Sequence, residues 1–367
     1  MLRSFVTTKF LAALLLASPA FATVTNVTTA AGLISAVGTC ASGDTVNAIS
    51  SGTYVFTTTL TINCTIITIS GYQTTPGDNG TKPVFTTATN STPLFGINGH
   101  VTFENVSFSN TAATSAVAMW AGGTPYLMCN RCVFTGFTDA LNGDNGAHNV
   151  FTDLWIFLTE IYGNQRAIRN AGNTVIVGCY IHGNSTAAAN SGVLDSQSQA
   201  MVIVNTLIVG NTASGSPSGV IWGSQGHIIL ANDTIAGNTG DGIDSDYIFS
   251  TNTIYYGNSG WAIQGVDTTT PNLILADTSN AFGSNTSGNI RGLTVSASDI
   301  SVSVSPFTAS GSGDYSLNAA ATGGALLKGA ATPSLFPGGL STGHGDIGAV
   351  QSAGGAAASA TASAFAY

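Results

Sequence analysis

Residues 201–264 read MVIVNTLIVGNTASGSPSGVIWGSQGHIILANDTIAGNTGDGIDSDYIFSTNTIYYGNSGWAIQ. Gly-Asn closes each apolar stretch, as Gly210-Asn211, Gly237-Asn238 and Gly257-Asn258. Upstream it recurs as Gly163-Asn164 and Gly183-Asn184, so the steps are 20, 27, 27 and 20 residues. After each recurrence come a small residue, an aliphatic one and a chemically distinctive one: Ala167-Ile168-Arg169, Val193-Leu194-Asp195, Val220-Ile221-Trp222, Gly242-Ile243-Asp244 and Ala262-Ile263-Gln264. Ala118-Met119-Trp120 and Ala140-Leu141-Asn142 extend the series. Successive side chains of a strand face opposite sides. Met119, Leu141, Ile168, Leu194, Ile221, Ile243 and Ile263 are therefore expected to point inward together. Trp120, Asn142, Arg169, Asp195, Trp222, Asp244 and Gln264 are expected to form a solvated outward column. A period of 20 to 27 residues, built of short strands and Gly/Asn turns with no helical pattern between them, describes stacked coils, each needing neighbours to bury its apolar face. The expected fold is all-β, a parallel β-helix of about ten coils.

Composition narrows the function. Only 7% of the 367 residues are charged, Gly numbers 45, and the net charge is −9. With 8 scattered Lys and Arg, the chain lacks the cationic cluster that replaces phosphate counterions, which excludes nucleic acid as a partner. Met1 to Ala22 carry Arg3, Lys9, an apolar run from Phe10 to Leu16 and an Ala20-Phe21-Ala22 ending, the pattern of a signal peptide. No later stretch is apolar for long enough to be an integral membrane span. A secreted or cell-surface protein is expected. Export permits disulfides, and Cys40 and Cys64 are placed to staple the first coils. Cys129-x-x-Cys132 and Cys179 lack a second pair for zinc and read as buried cysteines in a ladder.

Residues 28–37 (TTAAGLISAV) carry a helical pattern and precede Gly43-Asp44-Thr45-Val46 and Ser51-Gly52-Thr53-Tyr54. An amphipathic helix covers the open first coil of a solenoid. This order resembles the N-terminal cap of right-handed parallel β-helix proteins of the pectate-lyase-like superfamily, over roughly Thr23 to Ile300. That resemblance implies a right-handed helix over residues 56–300 behind a cap and first coil at 23–55. Gly313-Asp314-Tyr315-Ser316-Leu317 through Gly345-Asp346-Ile347-Gly348-Ala349-Val350 resembles a closing segment, giving a C-terminal cap over 301–351. Residues 352–367 are a low-complexity tail. Asn105, Asn110, Asn184, Asn205, Asn211, Asn232, Asn238, Asn252 and Asn258 are expected to be structural, because Asn tolerates left-handed backbone and its amide bonds the same group one coil away. Asn26, Asn63, Asn79, Asn90, Asn105, Asn184, Asn232 and Asn285 begin N-x-[ST] sequons.

The outward column is the candidate site. Coils lie about 4.8 Å apart, so Arg169, Asp195, Trp222 and Asp244 form a stripe of roughly 14 Å suited to an extracellular polysaccharide. Asp195 and Asp244, two coils apart, are candidate catalytic acids near the separation of an inverting glycosidase, with Asp246 and Asp241 as neighbouring carboxylates and Arg169 as a further catalytic candidate. Trp120, Asn142, Trp222 and Gln264 are candidate substrate-binding residues. No resident metal or cofactor is expected. A lyase would instead hold calcium with Asp241, Asp244 and Asp246, or with Asp195, and use Arg166 or Arg169 as base. Asn238-Thr239-Gly240-Asp241-Gly242-Ile243-Asp244 is similar to the polygalacturonase Asn-Thr-Asp-Gly-Ile-Asp motif with a Gly inserted. The family's Gly-Asp-Asp is replaced by Asn258-Ser259-Gly260-Trp261, its Arg-x-Lys is absent, and Gly343-His344-Gly345 falls in the closing segment, which argues against that activity. His148, His182 and His227 have no spaced partners, and Glu160 lies among Phe157, Leu158 and Ile161 as a partly buried acid. A non-catalytic adhesin or structural solenoid is the alternative from another class. Thr57 to Thr59 and Thr268 to Thr270 lack the regular ranks of an ice-binding face.

Overall fold

The computed structural model describes residues 22–49, 51–72, 81–88, 93–110, 117–144, 150–265, 274–291, 294–332 and 345–351. The expected leader at 1–22, save its last residue, lies outside them, as do the tail at 352–367, His148 and His344. Among the described residues the strands pair in parallel throughout the solenoid and stack on three faces. On the first face Leu60, Phe95, Met119, Leu141, Ile168, Leu194, Ile221, Ile243, Ile263 and Ile290 stand opposite one another in one continuous register. The second face runs from Val24–Val27 to Ile274–Thr278. Strands Gly219–Ala231 and Asp241–Thr251 turn the corner unbroken, so the first two faces form one 19-stranded sheet. The third face is an 11-stranded sheet from Thr53–Phe56 to Ile300–Ser301. With parallel strands joined by short crossovers, the right-handed hand is the one that lets a twisted strand pack back on its sheet. The chain is a right-handed parallel β-helix.

The aliphatic column is the core, and Met119, Leu141, Ile168, Leu194, Ile221, Ile243 and Ile263 are all fully buried. In the early coils the filling is aromatic: Phe85 meets Phe56, Phe95 and Phe108, and Phe108 stacks on Phe134 at 4.6 Å. Two turn columns close each coil. Between the second and third faces Asn105, Asn205, Asn232 and Asn252 take φ of 53 to 57°, a left-handed conformation that Asn tolerates better than most side chains. Between the third and first faces the Gly of each Gly-Asn pair takes φ of 60 to 69°, where a Cβ would be strained.

The Asn after that glycine builds a ladder. Asn164, Asn184, Asn211, Asn238 and Asn258 each donate their Nδ2 to the Oδ1 of the next, at 2.9 to 3.2 Å, ending on Asn285. Each Oδ1 from Asn184 to Asn285 also accepts the backbone N–H of the preceding Asn. A second internal ladder carries Cys132, Thr159, Cys179, Thr206, Asp233, Thr253 and Asn280, whose hydroxyl, carboxylate and amide oxygens accept amides one coil away. Cys129, Cys132 and Cys179 are free and buried, and burial pushes the Cys179 thiol up to about 12. Asn105, Asn184 and Asn232 are buried as well, which removes three of the eight sequons as glycan acceptors.

Helix Ala30–Gly38 covers the first coil: Thr29 caps it by accepting from the Gly32 amide at 3.1 Å, and Leu33 and Val37 enter the core. Cys40 and Cys64 are bonded across the junction, with Cα atoms 6.1 Å apart. The C-terminal segment runs along the flank. Val302, Phe307, Leu317, Leu327 and Ile347 pack on outward-facing Leu207, Val209, Ala236, Ile254 and Ala281 of the third face. Hydrogen bonds pin it there, from Thr332 to Asn252 and from the Ala349 amide to Thr234. Earlier coils carry Ser107, Ser109 and Thr135 at the matching outward positions and receive no such cover.

Candidate functional site

The first face carries two outward columns, because its strands are bulged. Asp139 pairs with Arg166 and Leu141 with Ile168 at one constant register, and each strand turns two consecutive residues inward, Ala140 with Leu141 and Ala167 with Ile168. The amides of Ala167 and Ile168 both donate to the Val193 carbonyl, at 2.9 and 3.2 Å. A bulge re-aims side chains: Arg166 and Arg169, three residues apart, both face out. One column holds Asp139, Arg166, Asp241 and Trp261. The other is the expected Trp120, Asn142, Arg169, Asp195, Trp222, Asp244 and Gln264, in unbroken register.

That second column is largely closed in rather than solvated. Trp120 is 38% exposed and Asn142 and Arg169 are half-buried, but Asp195 and Asp244 are fully buried, Trp222 is 4% exposed and Gln264 9%. Glycines beneath it allow the tight packing. A Cβ on Gly192 would lie 2.9 Å from Trp222 Cβ, and one on Gly219 would lie 2.7 Å from the Asp244 amide.

Charge that is scarce elsewhere gathers here. Arg166 grips Asp139 with two bonds, Nε to Oδ1 at 2.6 Å and Nη2 to Oδ2 at 3.0 Å, and Asn142 adds a third at 2.7 Å. Arg169 pairs with Asp144 at 2.8 Å. Asp195 is held by Ser191 Oγ at 3.0 Å on Oδ2 and by Gln197 Nε2 on Oδ1. Asp244 accepts from Gln264 Nε2 at 3.4 Å, and Arg291 Nη1 donates to Gln264 Oε1 at 3.0 Å. Asp241 accepts the Trp261 amide at 2.6 Å and begins the strand Asp241–Thr251. Asp246 stands on the same side as Asp244 and acts on it through charge.

Burial pushes Asp195 up to about 6, against the pull of Ser191, Arg166, Arg169 and Gln197. Asp244 is pushed up to about 7, first by burial and then by the negative charges of Asp241 and Asp246, with Gln264 and Arg291 opposing. Asp241 is raised too, mainly by burial. In this column three buried polar atoms have no partner among the described residues: Arg169 Nε, Trp222 Nε1 and Asp244 Oδ1. Unmet buried groups of this kind are rare in folded proteins and call for an explanation.

The sequence alone did not single out Asp139, Asp144, Ser191, Gln197 or Arg291. Only the Asp139-to-Arg166 spacing of 27 residues, matching the repeat, could have exposed one of them. Among the described residues no group of three His, Cys, Asp or Glu side chains converges where a metal could be held. Glu160, expected as a partly buried acid among Phe157, Leu158 and Ile161, is half-buried and bonds His182 at 3.0 Å on the third face, and His182 stacks between Tyr162 and Tyr180. Beside Asp139 and Arg166, a cleft of about 300 Å³ is lined by Phe137, Thr138, Asn164, Gln165 and Ser185.

No family model matches the chain, and no curated protein does. Solved structures do. An alginate lyase of polysaccharide lyase family 6, AlyGC, aligns at TM-score 0.45 and 10% identity, over 75% of this chain and 40% of that one. A Geobacillus virus E2 open-reading-frame product aligns at TM-score 0.37 and 11% identity, over 75% and 58%. A mannuronic acid specific family 6 lyase from human gut microbiota aligns at 0.23 and 9%, over 77% and 91%. The chain spans less than half the length of AlyGC.

Proposed function

We propose that this protein acts on extracellular polysaccharide along its first face, cleaving it hydrolytically with Asp244 as general acid and Asp195 as general base. The observation that supports this is the registered run Asp195–Trp222–Asp244, two raised carboxyls flanking an indole, with unmet hydrogen-bonding capacity at Trp222 Nε1 and Asp244 Oδ1. Two coil steps separate the acids by about 9.6 Å at the backbone, near the upper end of the ~6.5 to 9.5 Å that leaves room for a water opposite the leaving group. Asp244 gives its proton to the glycosidic oxygen as the bond to the anomeric carbon breaks. Asp195 takes a proton from the water whose oxygen bonds that carbon. Because Asp244 is pushed up to about 7 and Asp195 to about 6, Asp244 is the one still protonated when Asp195 is ionised.

Elimination has less support. The two arginines closest to Asp195 in register are each engaged with a carboxylate, which keeps a guanidinium charged and unable to take a proton. A second reading rests on the closure of the face: with Asp195 and Asp244 fully buried, the column would serve a binding or structural solenoid. Assaying reducing-end release together with unsaturated-uronide absorbance across a polysaccharide panel, with and without calcium, separates these. Reducing ends without absorbance support hydrolysis. Absorbance lost with a chelator would replace it by elimination, and silence from folded protein would leave the non-catalytic reading.

A further inference from the structure

On the reading that the first face takes a polysaccharide, we infer that the polymer is neutral and hydroxyl-rich, not a polyuronate. A uronate chain presents a carboxylate on every residue, and a face that selects it needs cations free to receive them. Here two of the three arginines on the face are paired with carboxylates of the protein. Arg166 lays one edge of its guanidinium, Nε and Nη2, against both oxygens of Asp139. Arg169 is paired with Asp144. Arg291 reaches Gln264, the partner of Asp244.

The remaining balance is negative. Asp139, Asp144, Asp195, Asp241, Asp244 and Asp246 face those three arginines, in a chain of net charge −9. A carboxylate laid beside Asp241 and Asp246, both half-buried, adds a like charge where repulsion is screened less than at an open surface.

The unmet groups point the same way. Arg169 Nε and Trp222 Nε1 can only donate, while Asp244 Oδ1 can accept. A sugar hydroxyl does both, so a neutral ring satisfies donor and acceptor together. The indole supplies an apolar platform for a ring with few polar substituents on one face.

The test is retardation of the purified full chain in native gels containing neutral polymers (a xylan, a β-glucan, a galactomannan) or polyuronates (alginate, polygalacturonate), at low and high salt. Retardation by at least one neutral polymer, unchanged by salt, and none by the polyuronates is the expected result. Retardation by a polyuronate that fades with salt overturns the inference and leaves polysaccharide recognition standing. Retardation by none of them overturns polysaccharide recognition itself, and with it the inference. A gain-of-function variant provides a second arm. Asp144→Asn frees Arg169, and about a tenfold or larger increase in polyuronate retardation is expected. If that variant, folded by its melting curve, gains nothing, the pairing of Arg169 is not what excludes uronates and the inference fails.

Discussion

Two polar columns climb this solenoid at the same coil spacing, and they differ in how completely they close on themselves. In the Asn164-to-Asn285 ladder every rung passes its amide to the next and receives a backbone N–H in return. In the Arg169–Asp195–Trp222–Asp244 column, buried to a comparable degree from Asp195 to Asp244, hydrogen bonding is left incomplete at three of the four positions. A buried polar group without a partner forfeits free energy that a satisfied one keeps. The closed column therefore belongs to stability. The open one has the marks of a site, where local rules are broken for function.

Substitution should pull the two columns apart. The largest effect is expected on activity at the open column: Asp195→Asn should lower turnover on the order of 10²- to 10⁴-fold while its melting temperature stays level or rises. Loss of folding along with activity would place Asp195 with the structural ladder instead. Next, Asn211→Ala should lose roughly 3 to 5 kcal/mol of unfolding free energy in denaturant titration, because it orphans the Asn184 amides and the carbonyls of Ile181 and Val209. A loss under about 1 kcal/mol would mean that water replaces the rung. Trp222→Phe removes a donor that has no partner, so stability should change by less than about 1 kcal/mol while polysaccharide affinity falls several-fold, measurable by gel retardation.

The smallest effect is on pH dependence. Asp195, Asp233 and Asp244 are all raised above the ordinary value of 3.8. Between that value and their folded ones the native state binds more protons than the unfolded chain, so stability must fall as pH rises. Melting temperature should decline from about pH 4 to about pH 7. Asp244→Asn should flatten the upper part of that decline, and an unchanged slope would count against the burial of Asp244.

The fold was legible because a solenoid writes its period into the sequence. Gly-Asn, the aliphatic before each distinctive residue and the Asn of each corner recur wherever the coil does, and the inward column can be read by alternation. What failed was alternation past the bulge at Ala140 and Ala167. A second inward residue per strand put Asp139 and Arg166 on the outer face, and Arg169 pairs with Asp144. Nor does register reveal what covers a face. Asp195 and Trp222 carry no sequence mark of burial, because polar and amphipathic side chains are expected outside, and only their surroundings in three dimensions close them in. The flank position of the C-terminal segment did leave a trace, in the outward Leu207, Val209 and Ile254 where earlier coils have Ser107 and Ser109.

The pH profile of kcat/KM for polysaccharide cleavage tests the pairing of Asp244 and Asp195 most directly. The account predicts reducing-end release with a bell-shaped profile, rising near about 6 as Asp195 ionises and falling near about 7 as Asp244 loses its proton. A profile flat through that range, or folded protein that releases no reducing ends from any polymer, would contradict it.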